Sequence, residues 1–120
     1  MSVGKTNATI GNGKLVTAIT KRQIRYDDGE VNTTLTCEFD PLVICCSFRD
    51  SGNGDYDYEE IYRLSKDDTE WKSIYTDSAY TPSPAGIKVS VNGRTITFGP
   101  CSASETSYAN IYIRAFGLSD

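Results

Sequence analysis

The chain has 120 residues and a net charge of -4, with 38% hydrophobic and 23% charged residues, which fits one globular domain and leaves no room for a second core. The acidic balance argues against a nucleic-acid partner, no run approaches the roughly 18 apolar residues of a membrane span, and the absence of His removes the commonest general base and metal ligand. Val, Ile and Thr number 29 and the aromatic residues 13, against 12 for Leu and Ala together, so an all-β fold is expected.

Residues 1–13 read as an N-terminal arm and residues 14–120 as a single β-sandwich domain. The arm lacks the basic-then-apolar order of a signal peptide, so synthesis in a cytoplasm is expected. After the turn signal Gly11-Asn12-Gly13, the β-branched run Lys14-Leu-Val-Thr-Ala-Ile-Thr-Lys-Arg22 predicts the first long strand, with residues 23–26 available to extend it. Asp27-Asp28-Gly29 predicts a turn. In Thr33-Thr-Leu-Thr-Cys-Glu-Phe39, Leu35, Cys37 and Phe39 alternate with Thr34, Thr36 and Glu38, the pattern of a strand with one face in the core. Asp40-Pro41 breaks that pattern, and the continuous apolar run Leu42-Val-Ile-Cys-Cys-Ser-Phe48 predicts the central buried strand.

Residues 49–57 are rich in Gly and Asp and predict a loop, with Tyr56 and Tyr58 outside any strand. Glu60-Ile-Tyr-Arg-Leu64 and Glu70-Trp-Lys-Ser-Ile-Tyr75 each alternate and predict two strands joined across residues 65–69. Pro82 and Pro84 cannot donate to a ladder, so residues 76–86 are expected to form a long surface loop. Ile87 to Val91, Asn92-Gly93 and Arg94 to Phe98 predict a hairpin with a type I′ turn, its apolar residues being Ile87, Val89, Val91, Ile96 and Phe98. Residues 99–107 predict a loop of small residues, and Ile111-Tyr-Ile-Arg-Ala-Phe116 the closing strand. Seven to eight short strands at this spacing predict an antiparallel β-sandwich, with a jelly roll as one arrangement.

The stretch from Asp50 to Glu60 places Asp50, Asn53, Asp55, Asp57 and Glu59 close together, but their spacing departs from that of a calcium loop, and no bound calcium is expected. No catalytic residues are assigned: the carboxylates fall mostly in predicted loops, where nothing apolar would raise a pKa, and no nucleophile stands at a recognisable spacing from a base. The chain is therefore expected to be no enzyme and to carry no metal or cofactor. Cys45 and Cys46 are neighbours and project to opposite faces of a strand, so they cannot share a metal; with Cys37 and Cys101 they are expected to be reduced, buried thiols. Two sets of side chains are candidates for contact. Tyr56, Tyr58, Trp71 and Tyr80 offer rings for a sugar. Tyr112, Arg114 and Phe116, left outside when Ile111, Ile113 and Ala115 fill the core, have the composition of an interface centre and point to a homo-oligomer.

Two segments together resemble the small all-β structural proteins and fibre-tip domains of tailed bacteriophages. The first is Leu35-Thr-Cys-Glu-Phe-Asp-Pro-Leu-Val-Ile-Cys-Cys46, a strand, a corner and a hydrophobic strand. The second runs from Val89-Ser-Val-Asn-Gly-Arg-Thr-Ile-Thr-Phe98 to Ile111-Tyr-Ile-Arg-Ala-Phe-Gly117. This resemblance implies a virion component made in a bacterial host, in a tail tip, a fibre or a capsid decoration, with other virion proteins as partners and a host-surface glycan as an attachment target. The alternative expectation is a carbohydrate-binding sandwich that uses its exposed Tyr and Trp side chains.

Overall fold

The structure, a computed structural model, describes residues 13–119 except 53, 55 and 79–86. Eight strands form two antiparallel sheets: β1 (Leu15–Arg25), β2 (Val31–Thr36), β3 (Pro41–Asp50), β4 (Tyr56–Tyr62), β5 (Lys72–Ser78), β6 (Lys88–Asn92), β7 (Thr95–Cys101) and β8 (Tyr108–Leu118). The five-stranded sheet has the order β1-β8-β3-β4-β5, and the three-stranded sheet the order β2-β7-β6. The molecule is a β-sandwich. β8 beside β1, β3 beside β8 and β7 beside β2 follow the nesting of chain ends seen in jelly rolls. The β4–β5 hairpin departs from it by continuing the first sheet, because β4 pairs with β3 along seven residues, from Val43 with Tyr62 to Arg49 with Tyr56.

The apolar run of residues 42–48 does form the middle strand of the larger sheet. Its alternation is real but half-hidden: Ile44, Cys46 and Phe48 are buried between the sheets, while Val43, Cys45 and Ser47 are only partly covered on the other side. β8, beside it in the same sheet, adds Ala109, Ile111, Ile113 and Ala115, all fully buried. Ile24 from β1 and Ile96 and Phe98 from β7 close the cluster. Each fully buried Ile or Phe among them contributes roughly 1.5–3 kcal/mol by leaving water. Phe39 reaches the core from beyond the end of β2, and its ring lies where a Cβ on Gly117 would be, 2.6 Å from Phe39 Cδ2 and from the Asp40 carbonyl. Only glycine lets this corner close over β8.

Three sequence expectations are corrected. First, β4 begins at Tyr56 and ends at Tyr62, so Tyr56 and Tyr58 stand in a strand and not in a loop. Asp57, Glu59 and Ile61 point to the inner side and Tyr56, Tyr58, Glu60 and Tyr62 to the outer, an alternation concealed by two acids on the inner positions. Second, β5 runs from Lys72 to Ser78, so residues 76–78 belong to the sheet. Third, the hairpin turn sits one residue later than Asn92-Gly93. Asn92 pairs with Thr95, so Gly93 and Arg94 are the central residues. Gly93 has φ +64 and Arg94 has no positive φ, the glycine-first pattern of a type II′ turn.

The two ends of the sandwich are tied by polar groups. At one end the Arg94 guanidinium binds the Asp40 carboxylate at 3.3 Å and donates to the Glu38 carbonyl at 2.9 Å, joining the β6–β7 turn to the corner after β2. Hydrogen bonding to Arg94 holds the Asp40 carboxyl below the ordinary carboxylate range. At the other end, buried Asp50 anchors the β7–β8 connection, as described below. Among the described residues no helix is long and apolar enough to cross a membrane.

Candidate functional site: the outer face of the large sheet

Directly paired residues of an antiparallel sheet project to the same side, so the registers define the outer face row by row. One row reads Lys21, Tyr112, Ser47, Tyr58 and position 77 across β1, β8, β3, β4 and β5. The next reads Ile19, Arg114, Cys45, Glu60 and Tyr75, and the one beyond it Thr17, Phe116, Val43, Tyr62 and Lys72. On the other flank Gln23, Asn110, Arg49 and Tyr56 stand in line, followed by Arg25 and Tyr108.

The interface set and two members of the sugar set, Tyr56 and Tyr58, therefore share one face. Tyr112 and Arg114 are exposed and Phe116 is half-buried on β8; Tyr56 is exposed and Tyr58 half-buried two strands away on β4. The face also holds Tyr62, Tyr75 and Tyr108, which brings its aromatic rings to seven. Sequence reasoning missed Glu60, Tyr75 and the flanking cations, because residues distant in the chain meet only through register. The available signal was the period of two in Tyr56, Tyr58, Glu60 and Tyr62.

The rings are arranged and not merely scattered. Tyr56 and Tyr58 are parallel within 8°, their centroids 6.2 Å apart, and Tyr75 leans against Tyr58 at 5.9 Å. The Tyr58 hydroxyl donates to Glu60 Oε2 at 2.7 Å, and the Cys45 thiol donates to the same oxygen at 3.5 Å. The bond to Glu60, with burial, raises the pKa of Tyr58, while burial first and Glu60 second raise that of the Cys45 thiol. Both groups stay protonated at neutral pH and leave the Glu60 carboxylate as a fixed acceptor. On the opposite flank cations lie over rings: Lys21 Nζ is 6.0 Å from the Tyr112 centroid, and the Arg25 guanidinium 5.9 Å from that of Tyr108.

Trp71 is not part of this surface. It is half-buried against the core, and the Arg63 guanidinium stacks on it at 4.6 Å while donating to the Pro41 carbonyl at 2.9 Å. Its ring lies against the core with the Arg63 guanidinium over it, which staples the chain just before β5. Tyr80 lies outside the described residues.

Among the described residues the acidic stretch does not converge. Asp50 is 1% exposed and its Oδ1 accepts from Gly52 N–H at 2.9 Å and from the hydroxyls of Ser104 and Ser107 at 3.1 and 3.0 Å. Burial works against its charge, but these hydrogen bonds outweigh it and lower its pKa. Asp57 and Glu59 lie on the inner side of β4, where burial and the neighbouring Asp57 raise the pKa of Glu59. Asn53 and Asp55 lie outside the described residues. Among the described residues no group of three or more His, Cys, Asp or Glu side chains is placed to hold a metal ion.

A cleft of about 500 Å³ opens between the sheets at the Arg94 end, lined by Val16, Ala18, Phe39 and Leu118 with Glu38, Asp40 and Arg94. Its guanidinium and the Asp40 carboxylate are already engaged with one another.

No protein-family model matches the sequence, and no curated protein matches it. Among solved structures, the fold is similar to that of the tailspike protein gp49 from the Acinetobacter baumannii bacteriophage Fri1, a capsular polysaccharide depolymerase. The TM-score is 0.45 at 15% sequence identity, and the match covers 92% of this chain but 20% of that one, so the chain corresponds to a fifth of the tailspike's length.

Proposed function

We propose that this chain is a non-enzymatic structural component of a tailed-bacteriophage virion, and that it works by surface contact through the outer face of its five-stranded sheet. The observation that carries this reading is the convergence on one face of the expected interface residues Tyr112, Arg114 and Phe116 with the expected sugar-contact residues Tyr56 and Tyr58. A face of rings set among charged groups has the make-up of a recognition surface. The resemblance of residues 35–46 and of the later strands to phage structural proteins supplies the virion setting, in a tail or on a capsid, with other virion proteins as neighbours.

A second reading, a carbohydrate-contact surface, is favoured by one specific arrangement. Three rings and a fixed carboxylate acceptor stand together on β4 and β5, so that a sugar could stack its C–H faces on tyrosine and donate a hydroxyl to Glu60. The two readings are compatible in an attachment protein. Light scattering and a screen over immobilised glycans, run on the wild type and on Tyr58→Ser and Phe116→Asp, test them together. Self-assembly or glycan binding that the face variants abolish while keeping their melting point is the expected result. A monomer that binds nothing, or binding indifferent to both substitutions, overturns the surface-contact reading.

A further inference from the structure

The outer face carries a charge opposite in sign to the protein that bears it. The chain has net charge -4, with 16 Asp and Glu against 12 Lys and Arg. Yet the registers place five cations on this face, Lys21, Arg25, Arg49, Lys72 and Arg114, against one acidic residue, Glu60, among the described side chains. Random placement on an acidic chain would give the reverse. Among the described residues, moreover, the one ion pair is that of Arg94 with Asp40, at the end of the sandwich. None of the five face cations has an ionic partner among the described residues, and two of them rest over tyrosine rings.

Exposed cations gathered on one face attract an anion, and the rest of the face narrows its chemistry. A second copy docking by the same face would set five cations against five, a contact that like-charge juxtaposition opposes. A DNA strand would meet the Glu60 carboxylate in the middle row, where Tyr58 and Cys45 hold it in place, and has no hydroxyl along its chain to offer that oxygen. A polymer that carries carboxylates and hydroxyls together satisfies both kinds of group. Its carboxylates meet Lys21 and Arg114, its hydroxyls donate to Glu60, and its sugar faces stack on Tyr58 and Tyr75. Successive rows along a strand are about 6.6 Å apart, so a chain laid across the face meets cations and rings in turn.

We propose that the outer face binds an acidic polysaccharide, one whose repeating unit includes a sugar carboxylate. This rests on the carbohydrate-contact reading and adds the sign of the ligand to it. The probes are polygalacturonate, the same polymer with its carboxyl groups reduced to alcohols, and a single-stranded oligothymidylate of similar length, each immobilised and titrated with the intact protein by biolayer interferometry. The variants are Lys21→Gln with Arg114→Gln, Glu60→Gln and Tyr58→Ser, with thermal melts to establish that each is folded.

The expected result is binding to polygalacturonate that weakens with added salt, and roughly tenfold weaker binding to the reduced polymer. The double cation variant should lose that preference, Tyr58→Ser should weaken both polymers, and Glu60→Gln should narrow the gap between polygalacturonate and the oligonucleotide. Equal binding to both polymers would overturn the acidic-ligand inference and leave the sugar reading standing. Binding to neither would overturn both. Oligonucleotide bound as tightly as polygalacturonate would make the face a general polyanion surface and refute the assignment. So would an oligomer that dissolves in the double cation variant, since the face would then belong to a neighbouring copy.

Discussion

Ser104 holds Asp50 twice, through its backbone N–H to Oδ2 at 2.9 Å and through its hydroxyl to Oδ1 at 3.1 Å, and so ties the end of β3 to a connection 54 positions later in the chain. With Gly52 and Ser107 also donating, a carboxylate that is 1% exposed has both oxygens engaged. The first acid of the Asp50 to Glu60 stretch is a structural clamp.

Asp50→Ala should therefore destabilise the protein by about 2–4 kcal/mol, since it strips several donors of a charged acceptor at once. The folded-state pKa of Asp50 is lowered, so its contribution is fully present above the ordinary aspartate value near about 4 and is lost as pH falls through the folded value. Chemical denaturation of wild type and Asp50→Asn at neutral pH and in acid should give a stability gap that closes only in strong acid. A gap unchanged with pH would show that the carboxylate charge contributes nothing.

Ile44 is fully buried in the middle strand of the large sheet, between Ile61 on β4 and Ala115 on β8. Ile44→Ala should cost about 2–5 kcal/mol, while Ile19→Ala, on the same sheet but 52% exposed, should stay within about 0.5 kcal/mol. Urea titrations of the two variants would reveal whether the core lies on the side assigned to it.

Gly117→Ala should cost about 1–3 kcal/mol, because its methyl group would meet the Phe39 ring and the Asp40 carbonyl, both at 2.6 Å, and the backbone carbonyl cannot turn aside. Coupling it with Phe39→Leu should recover part of the loss if the ring is the main obstacle. Additive losses in the double variant would assign the clash to the carbonyl.

All four cysteines are free thiols, with Cys37, Cys46 and Cys101 buried and Cys45 half-buried. Burial, reinforced by the charge of Asp57, pushes the Cys101 thiol up to about 12, and burial with Glu60 raises Cys45. Little thiolate is present at neutral pH, and the thiolate is the reactive form. Alkylation followed by intact-mass measurement should find four modified thiols in denaturant and none within minutes in the native protein. Fast labelling of a single native thiol would locate it at Cys45 and would mean that the Glu60 contact opens in solution.

The period of two in the chain determined much of this protein by itself. Thr33 to Phe39 and Ile111 to Phe116 announced which side chains would be buried, and the apolar run at residues 42–48 announced the central strand, because alternation and burial are local consequences of a pleated backbone. Local signals failed where a residue's environment came from a distant partner. Tyr56 and Tyr58 looked like loop residues because Asp57 and Glu59 occupy the inner positions next to them, and only the long edge of β3 draws that segment into the sheet. The turn at Gly93 and Arg94 was displaced by one residue because the pairing of β6 with β7 sets the register, not the Asn-Gly dipeptide alone. The joining of Tyr112 to Tyr58 through Ser47, and the gathering of five cations on one face of an acidic chain, depend on the strand order β1-β8-β3-β4-β5. Strand order is a property of long-range pairing, whose energy comes from burying a shared core, and no window of the sequence contains it.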